Sequence, residues 1–259
     1  MKTPLKENIS FISGGVLKNL IPSDGTVDSF LLYGGNIEFA LANSGRHVRA
    51  HTNNYLVHEF WDCVLTDSVA VAVWTQSLAS LLDDDPVFST EKMFCILQES
   101  WHGYPNPYTR AGLFFLLNRH SDSGRVSSGK MVPEGFNSFS TLQLRRFNVK
   151  NLNLVLDKHS KFFDGIGDIS ETDLLLFPVG KFSYNLFEEG KSKGIEETTV
   201  DHKNLFNKLK NQDHRWVVLY KKHPAVFEMY KEFNVRMVDQ YGRLTDKEAK
   251  CEELVIANF

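Results

Sequence analysis

Cysteine is scarce in this 259-residue chain: there are three, Cys63, Cys95 and Cys251, far apart and odd in number. That pattern excludes a disulfide framework and the paired cysteines of a zinc site, and predicts free, mostly buried thiols. Long apolar runs are also missing. Nothing approaches the roughly 18 to 20 consecutive apolar residues of a membrane span. The start, Met1-Lys2-Thr3-Pro4-Leu5-Lys6, lacks the apolar stretch of a signal peptide, so a soluble, intracellular protein is expected. There is no large charge of either sign, the net value being −3, which removes the simplest electrostatic signature of a nucleic-acid binder.

Several chemistries lack an anchor. No Gly-x-Ser-x-Gly, no Walker-type lysine loop and no Cys-His pair appears, which leaves hydrolase and nucleotide-triphosphatase readings unsupported. His47 and His51 stand four residues apart, but in a strand-like stretch with no carboxylate or cysteine clustered beside them, so no metal is expected. Asp83-Asp84-Asp85-Pro86 lacks the glycine and twelve-residue ligand pattern of a calcium loop and reads as a solvated turn. Asn106-Pro107-Tyr108 has a single proline and no hydrophobic strand before it, and also reads as a turn.

Against these absences stands a clear alternation of strand and helix. About 42% hydrophobic residues suffice for a real core. Thr26 to Leu32 suits a strand running into the turn Tyr33-Gly34-Gly35-Asn36 and a helix over Ile37 to Ala42. His47 to Ala50 is a second strand, and Tyr55 to Leu82, Lys92 to Gln98 and Ala111 to Leu117 have helical spacing. Asp173 to Phe177 and Trp216 to Tyr220 are continuous apolar runs of the kind that form buried parallel strands. Asp201 is a fitting N-cap for a helix to Lys210, and Pro224 opens another to Phe233. Val235 to Asp239 and Glu252 to Phe259 close the chain as strands. Such alternation implies an α/β fold with a mostly parallel sheet covered on both faces, and ligands at the carboxyl ends of its strands.

Charge is unevenly spread. Residues 101 to 150 hold seven basic side chains, Arg110, Arg119, Arg125, Lys130, Arg145, Arg146 and Lys150, against Asp122 and Glu134, a local +5 that leaves −8 elsewhere. With Phe136, Phe139 and Phe147 among them, this stretch is the candidate for salt-sensitive phosphate contacts.

Several segments, taken in order, carry a resemblance. They begin with Ser13-Gly14-Gly15 before Leu20-Ile21-Pro22, then Val27-Asp28-Ser29-Phe30 with Gly34-Gly35. Leu113 to Arg119 follows, with Gly124-Arg125, Gly129-Lys130 and Val132-Pro133-Glu134-Gly135. The run Asp173 to Gly180 and the pairs Asp201-His202, His223-Pro224, Tyr230-Lys231 and Tyr241-Gly242 complete the order. Over nearly the whole chain this resembles the Dam-like DNA adenine N6-methyltransferases. The resemblance implies a Rossmann-like S-adenosylmethionine-dependent methyltransferase fold with a helical and hairpin insertion. Residues 1–75 and 151–259 would form the core, and 76–150 the lobe that contacts duplex DNA through Arg110, Arg119, Arg125, Lys130, Arg145 and Arg146.

The same resemblance implies a degenerate site. The family's Asp-Pro-Pro-Tyr accepts hydrogen bonds from the target amine and stacks on a flipped base; here the positions read Phe177-Pro178-Val179-Gly180. Phe177 accepts no hydrogen bond, and Gly180 forfeits a stacking contact of roughly 1 to 3 kcal/mol. Val16 stands where the family carries lysine, Leu32 replaces the first motif glycine and would block close backbone approach, and His51-Thr52 falls where an acid would hold the ribose. Asp28, Phe30, Gly34 and Asp164 are the remnants of cofactor binding, so no cofactor is expected, or S-adenosylmethionine if any. The expected function is a catalytically inactive homologue, cytoplasmic or virion-associated, acting as a DNA-binding, scaffolding or structural protein. Two alternatives stand beside it: a structural component of a virus or phage particle without DNA binding, and an active enzyme with atypical motifs.

Overall fold

The computed structural model describes residues 3–6, 11–83, 90–157, 169, 171–182, 195 and 200–259. In chain order the elements are α1 (Gly14–Leu20), β1 (Thr26–Ser29), α2 (Asn36–Ala42), β2 (His47–Thr52), α3 (Tyr55–Asp83), α4 (Thr90–Ser100), α5 (Pro107–His120) and α6 (Ser138–Arg145). There follow β3 (Leu152–Leu156), β4 (Leu174–Gly180), α7 (His202–Lys210), β5 (Trp216–Lys221), α8 (Pro224–Met229), β6 (Asn234–Asp239) and β7 (Cys251–Ala257).

The strands form one seven-stranded sheet in the order β3-β2-β1-β4-β5-β7-β6. Neighbours from β3 to β5 are parallel, and β7 alone runs antiparallel, between β5 and β6. Leu17, Phe39 and Trp61 of α1, α2 and α3 pack on one face, and Leu205, Leu209 and Val226 of α7 and α8 on the other. This is a Rossmann-like α/β arrangement, a mostly parallel sheet with helices on both faces. The central strands are buried on both faces, which is why β4 and β5 read as unbroken apolar runs. Among the described residues no helix is long and apolar enough to cross a membrane, and Cys63, Cys95 and Cys251 are all free.

Several expectations shift at their edges. The first strand ends at Ser29 because Leu31 takes a left-handed φ of 68°, although Phe30 N–H still donates to Leu176 O at 2.9 Å. The helix from Pro224 stops at Met229, where Tyr230 leaves helical geometry. The long helix is bent at Asp67 (φ −152°, ψ 84°), whose carboxylate caps the second half through Ala70 N–H at 2.9 Å. Asn106-Pro107-Tyr108 is a helix start rather than a free turn: the Asn106 side chain accepts from Tyr108 and Thr109 N–H, with proline at the first helical position.

The carboxylate of Glu253, fully buried on β7, fixes the chain start to the sheet. It accepts from Ile12 N–H at 2.9 Å, Ser13 N–H at 3.0 Å and the Lys221 ammonium at 2.7 Å. That set of donors compensates the desolvation of a charge in an otherwise apolar strand.

Candidate functional site: the strand-end crevice and the basic lobe

Strand alternation decides what the crevice contains. Along β1 the side chains of Val27 and Ser29 face α2, so Asp28 and the following Phe30 face the other side. The same alternation puts Arg49 and His51 of β2 and Leu175 and Phe177 of β4 on the side of Asp28. Three rings therefore meet: Phe30 lies 4.9 Å from Phe177 with planes 8° apart, and 4.6 Å from His51 with planes 23° apart. Phe177 and Phe30 are 0% and 1% exposed. The ring stack fills the strand ends on the side of Asp28.

The His51 ring is held at both nitrogens. Nε2 lies 2.7 Å from Asp28 Oδ1 and Nδ1 lies 3.0 Å from Asp157 Oδ1. Arg49 donates to Asp28 Oδ2 at 2.6 Å. Burial by itself would push the imidazole pKa down, but the hydrogen bonds to Asp157 and Asp28 reverse this and raise it. Burial likewise works to raise the Asp28 carboxyl, and His51 and Arg49 bring it below its ordinary value. His51 thus favours the imidazolium form, with neither nitrogen free to act as a base or a ligand. The expectation that no carboxylate accompanies this histidine is corrected: two do, brought together by parallel register across β1, β2 and the end of β3. Among the described residues no group of histidine, cysteine and carboxylate side chains has the arrangement of a metal site.

The turn after β1 places Leu31 and Leu32 on opposite sides of the sheet. Leu32 is 2% exposed and belongs to the α2-side core, so its side chain does not cover the turn. Leu31, one residue earlier, takes the left-handed conformation and packs against the cluster of Phe30 and Phe177. Gly35, with φ 73°, is required: a Cβ there would lie 2.3 Å from the Phe39 ring. Gly34 is buried beside it. Below the turn, Ser29 Oγ donates to Glu38 Oε1 at 2.7 Å, and burial pushes the Glu38 carboxyl up. Val16 is a core residue of α1.

Among the described residues, the strand ends offer no free oxygen of Asp28 to a ligand such as S-adenosylmethionine. Both Asp28 oxygens are committed to His51 and Arg49, and His51 faces Asp28 rather than a ribose. An acceptor left over at the strand ends is Asp157 Oδ2, buried and without a hydrogen-bond partner among the described residues. Asp164 lies outside the described residues.

Phe177, Pro178, Val179 and Gly180 do not form a loop at a strand end. They are the last four residues of β4, and Gly180 (φ 82°) still pairs with Tyr220 past a bulge. A cluster that sequence reasoning missed lies just beyond: the Phe182 ring centroid is 4.6 Å from His202 and 4.9 Å from His223, and His202 Nδ1 is 3.0 Å from the Tyr220 hydroxyl. Burial pushes the Tyr220 phenol far up, so it stays neutral. The pairs Asp201-His202 and His223-Pro224 were the signal for it, but they read as helix caps, which they also are.

The basic lobe is less free than its charge suggests. Arg110 forks onto Glu59, with Nε 2.7 Å from Oε1 and the second bond to Oε2, which also accepts from the Tyr55 hydroxyl at 2.7 Å. Arg119 is half-buried and donates to Gly135 O at 3.0 Å. Arg125 is half-buried, whereas Lys130, Arg145 and Arg146 are exposed.

The expected hairpin is a loop closed by a single antiparallel bridge, Ser121 to Met131. It folds back on the body. Gly124 O accepts from Asn118 Nδ2 at 2.6 Å and from the Tyr33 hydroxyl at 3.2 Å, Val126 is fully buried, and Trp101 Nε1 donates to Ser127 Oγ at 3.1 Å. At Gly124 (φ 74°) a Cβ would meet Lys6 O at 2.2 Å, which seals the loop against the chain start.

Comparison with known proteins adds little to this geometry. No family model and no curated protein matches the chain. Matching solved structures include a TehB-like S-adenosylmethionine-dependent methyltransferase from Corynebacterium glutamicum ATCC 13032 Kitasato, 10% identical, with TM-score 0.36 over 95% of this chain and 86% of that one. Another is a fibrillarin/Nop5p complex, 10% identical, with TM-score 0.35 over 95% of this chain and 78% of that one. Likenesses this slight assign no function, and the fold rests on the chain's own strand order.

Proposed function

We propose that this chain is a methyltransferase-fold protein that does not methylate adenine and acts instead as a DNA-associated binding or scaffolding protein. The observation that carries this reading is the buried ring stack of His51, Phe30 and Phe177 at the strand ends. Adenine methylation needs a base flipped from the duplex at a cost of a few kcal/mol, recovered by stacking and by acceptors for the amine. Phe177 offers no acceptor, Gly180 offers no ring, and the Asp28 carboxylate is bound to the protein itself.

The association with duplex DNA rests on the exposed cations of the lobe, Lys130, Arg145 and Arg146. Arg110 is left out of that surface because its guanidinium serves Glu59. Three phosphate contacts give a salt slope of about −2.7 on logarithmic axes, so affinity for a short duplex should fall about 40-fold between 50 and 200 mM salt. Gel retardation across that range measures it. Absence of any retardation at 50 mM salt rules out the DNA half of this reading and leaves a protein-assembly role.

A further inference from the structure

At the bend of α3 the chain opens a cleft of about 660 Å³, lined by Thr66, Asp67, Ser68, Arg145, Arg146 and Asn148 among others. That volume is ample for a phosphate-bearing group. The fold builds its wall from two directions. Asp67 breaks the helix and caps its second half with its own carboxylate, and the end of α6 brings Arg145 and Arg146 to the same cleft. Ser68 Oγ donates to Arg145 O at 3.2 Å and Arg145 donates to Gln76 Oε1 at 2.8 Å, so α6 is tied to the bent helix on the side of the cleft. Arg146 is exposed and forms no ion pair among the described residues. Asp67 contributes the acidic side chain of the lining, and one of its oxygens is already taken by Ala70 N–H.

We propose that this cleft is a phosphate seat for the sugar-phosphate backbone of duplex DNA, with Arg145 and Arg146 as its cations. The inference rests on the duplex-binding reading above and gives it a location. Leu152, the first residue of β3, also lines the cleft, whereas Phe177 to Gly180 end β4. The two strands are parallel within one sheet, so cleft and crevice lie at opposite ends of the strands, about 15 to 20 Å apart for strands of five to seven residues. A duplex held in the cleft is therefore not presented to the crevice. Binding here is separate from base flipping, which accords with a crevice filled by side chains.

The test is retardation of a 20-base-pair duplex by the full chain, with thermal melts as a folding control. R145A/R146A should lose at least about tenfold in affinity at 50 mM salt, and its salt slope should shrink by about 2. R145K/R146K, which keeps the charge, should recover most of the loss. R146A alone removes no internal hydrogen bond and should shrink the slope by about 1, which keeps the test valid if the double variant folds poorly. R125A/K130A, on the loop, removes the Lys130 contact and should shrink the slope by about 1, and adding R146A to it should shrink the slope by about 1 more if the cleft acts independently. Wild-type affinity in both R146A and R145A/R146A overturns the cleft while leaving duplex binding in place. A wild-type chain that binds no duplex overturns both. Inorganic pyrophosphate identifies the source of the phosphate: competition by pyrophosphate at low millimolar concentration would point to free phosphates and overturn the backbone assignment, and its failure to compete supports a duplex backbone.

Discussion

Phe177→Asp, which places a carboxylate in the ring stack, should unfold the protein rather than confer methyl transfer. Phe177 is fully buried, stacked on Phe30, in a cluster with Leu175, Val218 and Trp216. Removing a buried phenylalanine costs about 3 to 5 kcal/mol. The new carboxylate would be charged among apolar side chains, adding several kcal/mol or forcing it to stay protonated. Together these rival the entire stability of an ordinary domain, about 5 to 15 kcal/mol. Phe177→Leu keeps an apolar side chain and should cost only about 1 to 2 kcal/mol. Thermal melts and expression yields of the two variants make the comparison. A well-folded Phe177→Asp protein that labels adenine would mean that the cluster opens readily into a working site.

His51→Ala should cost about 3 kcal/mol, because it removes the cation between two carboxylates and leaves Asp28, 1% exposed, with Arg49 as its remaining ion-pair partner. The same group sets a pH dependence. Its folded pKa is raised, so its stabilising contribution is complete below the unfolded imidazole value of about 6.5 and is lost as pH rises through the folded value. Asp28 has the opposite sign. Its folded pKa is lowered, so its contribution is present above about 3.9 and is lost as pH falls through the depressed value. The charged groups facing His51 are Asp28, Asp157 and, through Asp28, Arg49. Stability should therefore be greatest between about pH 4 and 6.5 and decline through the neutral and mildly alkaline range. The melting temperature of wild type should fall from pH 6 to pH 9, while that of His51→Ala should be lower and flat. Parallel curves for the two proteins would remove His51 as the titrating group.

The two ends of the chain differ in how plainly they announce their structure. β4 and β5 are legible because burial on both faces demands continuous apolar residues, and α7 is legible because Asp201 caps it through Asn204 N–H. β3 escapes because Leu152–Leu156 is a half-exposed edge strand whose apolar residues are interrupted by Asn153. α6 had a readable signal, the reciprocal cap of Asn137 and Ser140, ahead of a helix of only eight residues.

In the site, the lack of a hydrogen-bond acceptor at Phe177 is visible from residue type alone. Its structural consequence is not, because His51 meets Asp28 from 23 residues away and Asp157 from 106, through sheet register that no local pattern encodes. Leu31 and Leu32 are indistinguishable as letters. Only the fold shows that Leu31, with its left-handed φ, packs with Phe30 and Phe177 while Leu32 enters the opposite core. Arg110 counts toward a basic stretch until the fold places Glu59 beside it.

The proposal that the strand ends take no cofactor is examined most directly by a calorimetric titration of the full chain with S-adenosylmethionine. With Asp28 held by His51 and Arg49 and with Leu31, Phe30 and Phe177 packed together, no saturable heat is expected at cofactor concentrations up to about 1 mM, a free energy weaker than about −4 kcal/mol. A saturable isotherm with a micromolar dissociation constant would contradict it, because the cofactor would then have a site that the ring stack does not close.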